Sequence, residues 1–221
     1  MIRVLRLSEG SQISLVEAGG KEYKGEICQI GTDSLTVSVI ESSSKLTAPA
    51  TSQITLFQAL PKGDKLELVI QKCTELGVDK IVTYSSARSI SRPSEERIQD
   101  RLKRWNRIAT EASRQANRFT VPKIEFASEL SEICKKSDHK LKIILWEEER
   151  ECSLRQLLGN VDSPESIAVT VGPEGGLSKS EVEMAASCGF VPVSLGDRIL
   201  RTETASIAII AILQFYWGNL D

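Results

Sequence analysis

The chain has 221 residues, 41% of them hydrophobic and 26% charged, an ordinary globular composition with enough apolar material for one large or two small cores. Its five cysteines (Cys28, Cys73, Cys134, Cys152, Cys188) are odd in number and never form a C-x-x-C pair, and His139 is the only histidine, so neither a disulfide framework nor a metal site is expected and a reducing cytoplasm fits best. The net charge of −2 hides a segregation, −1 over residues 1–60, +5 over 61–125 and −6 over 126–221, which suggests a polyanionic partner met by the middle third.

At the N-terminus Arg3 and Arg6 are followed by no continuous apolar segment, and the most apolar stretch, Ala205 to Leu213, is far below a bilayer span. Neither export nor membrane insertion is expected. Up to about residue 60 the pattern alternates and is rich in turns: Gln12–Val16, Tyr23–Ile27 and Ser34–Val39, punctuated by Gly19-Gly20 and Gly31-Thr32-Asp33. This predicts a small antiparallel β domain over 1–52, with Ser42 through Pro49 as a linker or long hairpin loop. From residue 53 to 221 strands alternate with helices, the signature of a layered α/β domain on a mainly parallel sheet.

The predicted strands are 54–60, 80–84, 123–126, 142–146, 167–171 and 191–194, and the helices 63–76, 94–117, 128–136, 153–158, 178–187 and 203–217. In the first helix Leu66, Val69, Ile70, Cys73 and Leu76 keep helical spacing, and Gly77 stands where a left-handed cap belongs. In the second, Ile98, Leu102, Trp105, Ala109 and Ala112 form one face, while Arg97, Arg101, Arg104, Arg107 and Arg114 gather on an adjoining arc of roughly 140°. A solvated face partly neutralised by Glu95, Glu96, Asp100 and Glu111 accounts for that ridge; a phosphate-binding face is the alternative, since arginine's planar fork suits phosphate oxygens. The final helix is apolar almost all round, which implies burial in a core or a subunit interface.

Two glycine-bearing turns carry the chemistry. Gly172-Pro173-Glu174-Gly175-Gly176 and Leu195-Gly196-Asp197-Arg198-Ile199-Leu200-Arg201-Thr202-Glu203-Thr204 each follow an apolar strand and lead into a helix. Glycine permits positive φ and lets a ligand lie on bare backbone, and loops at the carboxyl ends of adjacent strands converge on one crevice. No Gly-Lys-Ser/Thr and no G-x-G-x-x-G is present at the appropriate turn, so a nucleoside triphosphate is disfavoured.

The run G-P-E-G-G-L-S-x-x-E followed by G-F-x-x-V-S-L-G-x-R-I-L-R-T-E-T-A resembles the bacterial small-subunit ribosomal RNA uridine N3-methyltransferases. Pro61-Lys62-Gly63-Asp64, Gln71 through Val78, Ser89, Arg92, Arg104-Trp105, Glu111-Ala112, Gln115 and Arg118 resemble that family as well. Relative to the family pattern the chain starts almost at the stretch matching Val4-Leu5-Arg6-Leu7, about one strand short.

The resemblance implies a SPOUT-class α/β domain with a C-terminal trefoil knot, a rare exception to unknotted topology, preceded by a PUA-like β-barrel that helps dock RNA. It implies S-adenosylmethionine in a pocket of three loops, with Leu145, Glu147, Thr170, Gly172, Pro173, Glu174, Gly175, Gly176, Leu195, Gly196, Ile199, Leu200 and Arg201 around it. The implied substrate is the uridine at position 1498 of 16S rRNA on the small ribosomal subunit, and the implied assembly a homodimer. Arg6, Lys72, Arg92, Arg101, Arg104, Gln115 and Arg118 are the candidate RNA contacts.

Methylation at N3 requires loss of a weakly acidic imide proton, with charge spreading onto two carbonyl oxygens. Arg201 is the candidate cation, and Glu203 and Glu174 are candidate proton acceptors. Against these roles, Glu203 could serve the dipole of the last helix, and Glu174 could simply bind Arg201 or Arg198. Alternative functions are a related SPOUT enzyme acting on a ribose 2′-hydroxyl or a tRNA base, or an RNA-binding module without catalysis.

Overall fold

The computed structural model describes residues 7–16, 21–32, 34–44, 52–89, 94–218 and 220, without the side chains of Lys21, Glu22, Ser43, Ser44 and Glu95. Arg6 and Arg92 lie outside the described residues. The chain divides into two compact units, Met1–Pro49 and Ala50–Asp221.

In the first unit β1 (Gln12–Val16), β2 (Lys21–Ile30) and β3 (Leu35–Ser44) form an antiparallel sheet in that order. The described strands do not close into the barrel the family resemblance implies. Polar composition marked Ser42–Ser44 as linker, but these residues belong to β3. Ser42 pairs with Tyr23, Ser43 with Glu22 and Ser44 with Lys21. Backbone pairing with β2 overrides the turn preference of serine there.

The second unit is a six-stranded sheet, parallel throughout. Its strands are β4 (Gln53–Ala59), β5 (Lys80–Tyr84), β6 (Lys123–Ala127), β7 (Leu141–Leu145), β8 (Ser166–Val171) and β9 (Val191–Val193), in the order β6-β5-β4-β8-β7-β9. The helices are α1 (Lys65–Glu75), α2 (Glu95–Gln115), α3 (Leu130–Lys136), α4 (Leu154–Gly159), α5 (Lys179–Ser187) and α6 (Thr202–Trp217). Each expected strand and helix of this unit is present within two or three residues.

Strand alternation divides the core in two. Ile54 and Leu56 of β4, Ile143 and Leu145 of β7 and Val169 and Val171 of β8 join one cluster with residues of α1, α2, α4 and α6. Phe57, Ala59, Ile144 and Ala168 point the other way, into a cluster with residues of α3 and α5. Helix α1 ends as expected: Gly77 has φ +100°, and a Cβ there would also press on the Gln214 amide at 2.6 Å, whose nitrogen donates to the Gly77 carbonyl. That bond ties the end of α1 to α6. His139 sits half-buried between the hydroxyls of Ser137 and Thr55, and burial lowers its pKa.

Within one chain α6 is covered on one face only, which accounts for the core part of the expected burial and leaves the subunit-interface part to the other face. Thr202, Ser206, Ile209, Ile210, Leu213 and Gln214 are buried, but Ile212, Phe215 and Tyr216 are exposed, Phe215 to 71%. An even apolar composition cannot tell which face a single chain covers. No helix among the described residues is long and apolar enough to cross a membrane, and among them no group of three or more His, Cys, Asp or Glu could hold a metal ion.

Candidate active site

The strand order brings the ends of β8, β7 and β9 side by side, with β7 between the two strands that follow it in the chain. The loops after these three strands therefore meet at one edge of the sheet, as expected for a parallel α/β crevice. They enclose a cavity of about 680 Å³, within the range of ordinary small-molecule sites. Of the residues expected around a cofactor, Leu145, Glu147, Gly172, Pro173, Glu174, Gly176, Leu195, Gly196, Ile199, Leu200 and Arg201 line it.

Two do not. Thr170 is fully buried on β8, and alternation turns its side chain to the face opposite Val169 and Val171, away from this crevice. Gly175 lies on the outer side of its loop, where Arg88 donates to its carbonyl at 2.9 Å, and it lines a neighbouring cavity instead.

Main chain dominates the walls where the glycines sit. Gly176 has φ +70°, and a Cβ at that position would run into the Glu147 carboxylate, so glycine brings the first and second loops together. Gly196 has φ +103° and open space around it. Downstream of the Pro-Glu-Gly-Gly turn, Ser178 and Glu181 form a capping box that starts α5, and Glu181 also accepts from the Ala87 amide at 2.9 Å.

The start of α6 is held by a buried polar network that sequence reasoning missed. Gln58, fully buried on β4, donates to Thr202 Oγ1 at 3.0 Å; Thr202 in turn donates to the Gly172 carbonyl at 2.6 Å, and Ser206 Oγ meets Gln58 Oε1. One glutamine thus joins β4, the loop after β8 and the first turn of α6. Its signal in the sequence was a polar residue at the position that continues the Ile54, Leu56 face. Replacing Gln58 by leucine removes these bonds from a buried site, at a cost of about 2–3 kcal/mol. Thermal melting should show a fall in Tm of roughly 5–10 °C.

Arg201 occupies the N-cap position of α6, with extended backbone (φ −63°, ψ 150°) and a carbonyl that accepts from the Ala205 amide at 2.8 Å. Its side chain is exposed and has no ion pair among the described residues. Glu203 is only 12% exposed, and its Oε2 is buried without a hydrogen bond, 3.9 Å from Lys65 Nζ. Lys65, which the sequence reading did not single out, donates to Glu174 at 2.7 Å. It directly follows the Pro61–Asp64 motif.

Glu174 thus binds neither Arg201 nor Arg198. Burial raises its pKa, but hydrogen bonds from Lys65, from its own amide and from the Lys62 amide outweigh this and leave it below the ordinary carboxylate range.

The expected RNA contacts divide. Arg101, Arg104 and Gln115 are exposed on α2 with Arg97, Arg107 and Arg114, as the cationic ridge requires, although Arg104 pairs with Glu67 at 2.7 Å and Lys72 of α1 pairs with Glu75 at 2.8 Å. Arg118 departs from that role. It is partly buried, and its Nη1 donates to the carbonyls of Thr74 and Val78 at 2.7 and 2.8 Å. Burial lowers its pKa against the opposing charge of Asp79. It secures the end of α1.

The RNA methyltransferase domain family matches residues 48–214, and the RNA methyltransferase PUA domain matches residues 1–40. Class and site agree: a parallel α/β domain with a main-chain-lined crevice follows a small β unit. The chain is 30% identical to ribosomal RNA small subunit methyltransferase E of Bacillus subtilis over 220 residues, 97% of this chain and 86% of that protein. Ribosomal RNA small subunit methyltransferase E of Neisseria gonorrhoeae, solved with bound S-adenosyl methionine, superposes with a TM-score of 0.84 at 32% identity, covering all of this chain and 89% of that one. A Legionella pneumophila protein solved with its cofactor SAM gives a TM-score of 0.85 at 30% identity, over 99% and 88% of the two chains. This chain belongs to the ribosomal RNA small subunit methyltransferase E family.

Proposed function

We propose that this chain transfers a methyl group from S-adenosylmethionine to N3 of the uridine at position 1498 of 16S rRNA on the small ribosomal subunit. The observation that carries the chemistry is the Arg201 guanidinium, at the wall of the cavity and without an ion pair among the described residues, two positions before the buried carboxylate of Glu203 on the first turn of α6. S-adenosylmethionine fits what this cavity offers. Its walls are backbone at Gly172, Gly176 and Gly196, with apolar surface from Leu145, Leu195 and Leu200 and a carboxylate from Glu147 to accept hydroxyl groups. When bound, it supplies a methyl group on a positively charged sulfur.

The chain's own task is to create the N3 lone pair and hold the charge that results. Glu203 accepts the imide proton, directly or through one water, from a position fixed by the first turn of α6. Arg201 faces the carbonyl oxygens onto which the charge spreads, and its guanidinium stays protonated throughout. Glu174, held as the anion by Lys65 and the Lys62 amide, is the poorer proton acceptor. It keeps Lys65 between itself and Glu203.

In this reading the fold is of the SPOUT class with a C-terminal trefoil knot. Its support is that β9 pairs on the outer side of β7 while α6 returns to pack on α1 and to reach β4 and β8. The enzyme works as a cytoplasmic homodimer, for which the exposed Ile212, Phe215 and Tyr216 of α6 offer an apolar face. Arg6, Arg92, Arg101, Arg104 and Gln115 contact RNA, assisted by the PUA-like unit; Lys72 does so only by giving up Glu75. The test is mass spectrometry of 16S rRNA from a strain lacking the gene. One uridine should lose a methyl group and regain it on complementation, and an unchanged methylation pattern would refute the assignment.

A further inference from the structure

A second cavity, of about 570 Å³, adjoins the first and shares Pro173 and Glu174 with it. Three elements far apart in sequence each bring one cation to its wall: Lys62 from the loop after β4, Arg88 from the segment after β5 and Arg101 from α2. All three are exposed. Among the described residues neither Lys62 Nζ nor the Arg101 guanidinium has an ion pair, and Arg88 spends one nitrogen on the Gly175 carbonyl at 2.9 Å, leaving the rest of its fork open. Two carboxylates share the wall. Glu174 is already engaged by Lys65, and Asp64 precedes α1 without capping it.

The chemistry of this wall selects its ligand. Among the described residues no aromatic ring lines it, so they offer no platform on which a base could stack, and their apolar part is limited to Leu60, Pro61 and Pro173. Cations drawn from three directions, beside the positive end of the α1 dipole, suit a phosphate oxygen cluster. Ser89 adds a hydroxyl at the same wall, where it receives the Ser86 amide at 3.1 Å. The shared Pro173-Glu174 wall puts anything held here beside the cavity that Arg201 lines.

We propose that this second cavity grips a phosphodiester of the acceptor RNA strand next to the target nucleotide, so that the strand is registered against the methyl-donor cavity. The proposal rests on the RNA methyltransferase reading above and adds to it the place where the strand is held. It makes Lys62 and Arg101 substrate-positioning residues. Arg88 is a third, and its bond to Gly175 couples the phosphate site to the loop that walls both cavities.

The experiment measures 16S rRNA affinity by filter binding and methyl incorporation separately, in the wild type, in the Lys62→Ala/Arg101→Ala double variant and in Arg114→Ala. Arg114 lies on the same helix about 20 Å further on, and serves as the control for general charge. The double variant should bind RNA at least tenfold more weakly, with a salt slope shallower by about one to two, while calorimetry gives an unchanged affinity for S-adenosylmethionine. Arg114→Ala should lose less than threefold. Unchanged RNA affinity in the double variant, or an equal loss in Arg114→Ala, would overturn the cavity proposal and leave the enzymatic assignment standing. RNA binding that depends on Lys62 and Arg101 without any methyl transfer by the wild type would do the reverse.

Discussion

Arg201→Ala is expected to lower turnover on small-subunit RNA about 10²–10³-fold, while S-adenosylmethionine affinity by calorimetry stays within about twofold. Two features of the site separate these quantities. The backbone at position 201 is extended, a conformation alanine adopts without strain, and its carbonyl bond to the Ala205 amide does not depend on the side chain. The start of α6 is held instead by Gln58, Thr202 and Ser206, so the cavity wall survives the substitution. What disappears, on the proposed mechanism, is the cation that faces the developing anion. Arg201→Lys keeps the charge but not the planar fork, and should recover only part of the rate. Turnover equal to wild type in Arg201→Ala would remove this residue from the chemistry.

Glu203→Gln carries the second large effect, a fall of about 10²–10⁴-fold at neutral pH with little change in fold, because glutamine keeps the shape but loses the negative charge and the ability to take a proton. The pH dependence makes this more than a loss-of-function test. Without Glu203 the imide proton must leave to solvent, so the rate of the variant should climb steadily with pH and narrow its gap to the wild type. Single-turnover rates across the pH range measure this. A gap that stays constant with pH would instead assign Glu203 to holding Lys65, which lies 3.9 Å from its carboxylate. Glu174 cannot substitute readily, since hydrogen bonds from Lys65 and the Lys62 amide stabilise its anion.

Several features of the protein were legible residue by residue. The change from alternating to mixed patterning near residue 53 marked the start of the α/β unit, and helical spacing placed α1 and α2. The cap at Gly77 was readable because a left-handed turn after an apolar stripe has a local cause. The loops at Gly172–Gly176 and Leu195–Arg201 were readable for the same reason: glycine's freedom is a property of the residue itself. Most of the first cavity's wall follows from them.

Sequence alone, then, determined the elements of the α/β unit, its two glycine-bearing loops and the family, because period, capping and backbone freedom act over a few residues. Tertiary structure decided which side chains meet. Thr170 faces away from the crevice although Val171 and Gly172 line it, Arg118 is drawn into the end of α1, and Gln58 and Lys65 enter the site from β4 and α1, more than a hundred residues before the loops they support. These outcomes depend on strand order. The parallel arrangement β4-β8-β7-β9 places non-consecutive strands side by side, and long-range proximity of that kind leaves no periodic trace in the chain.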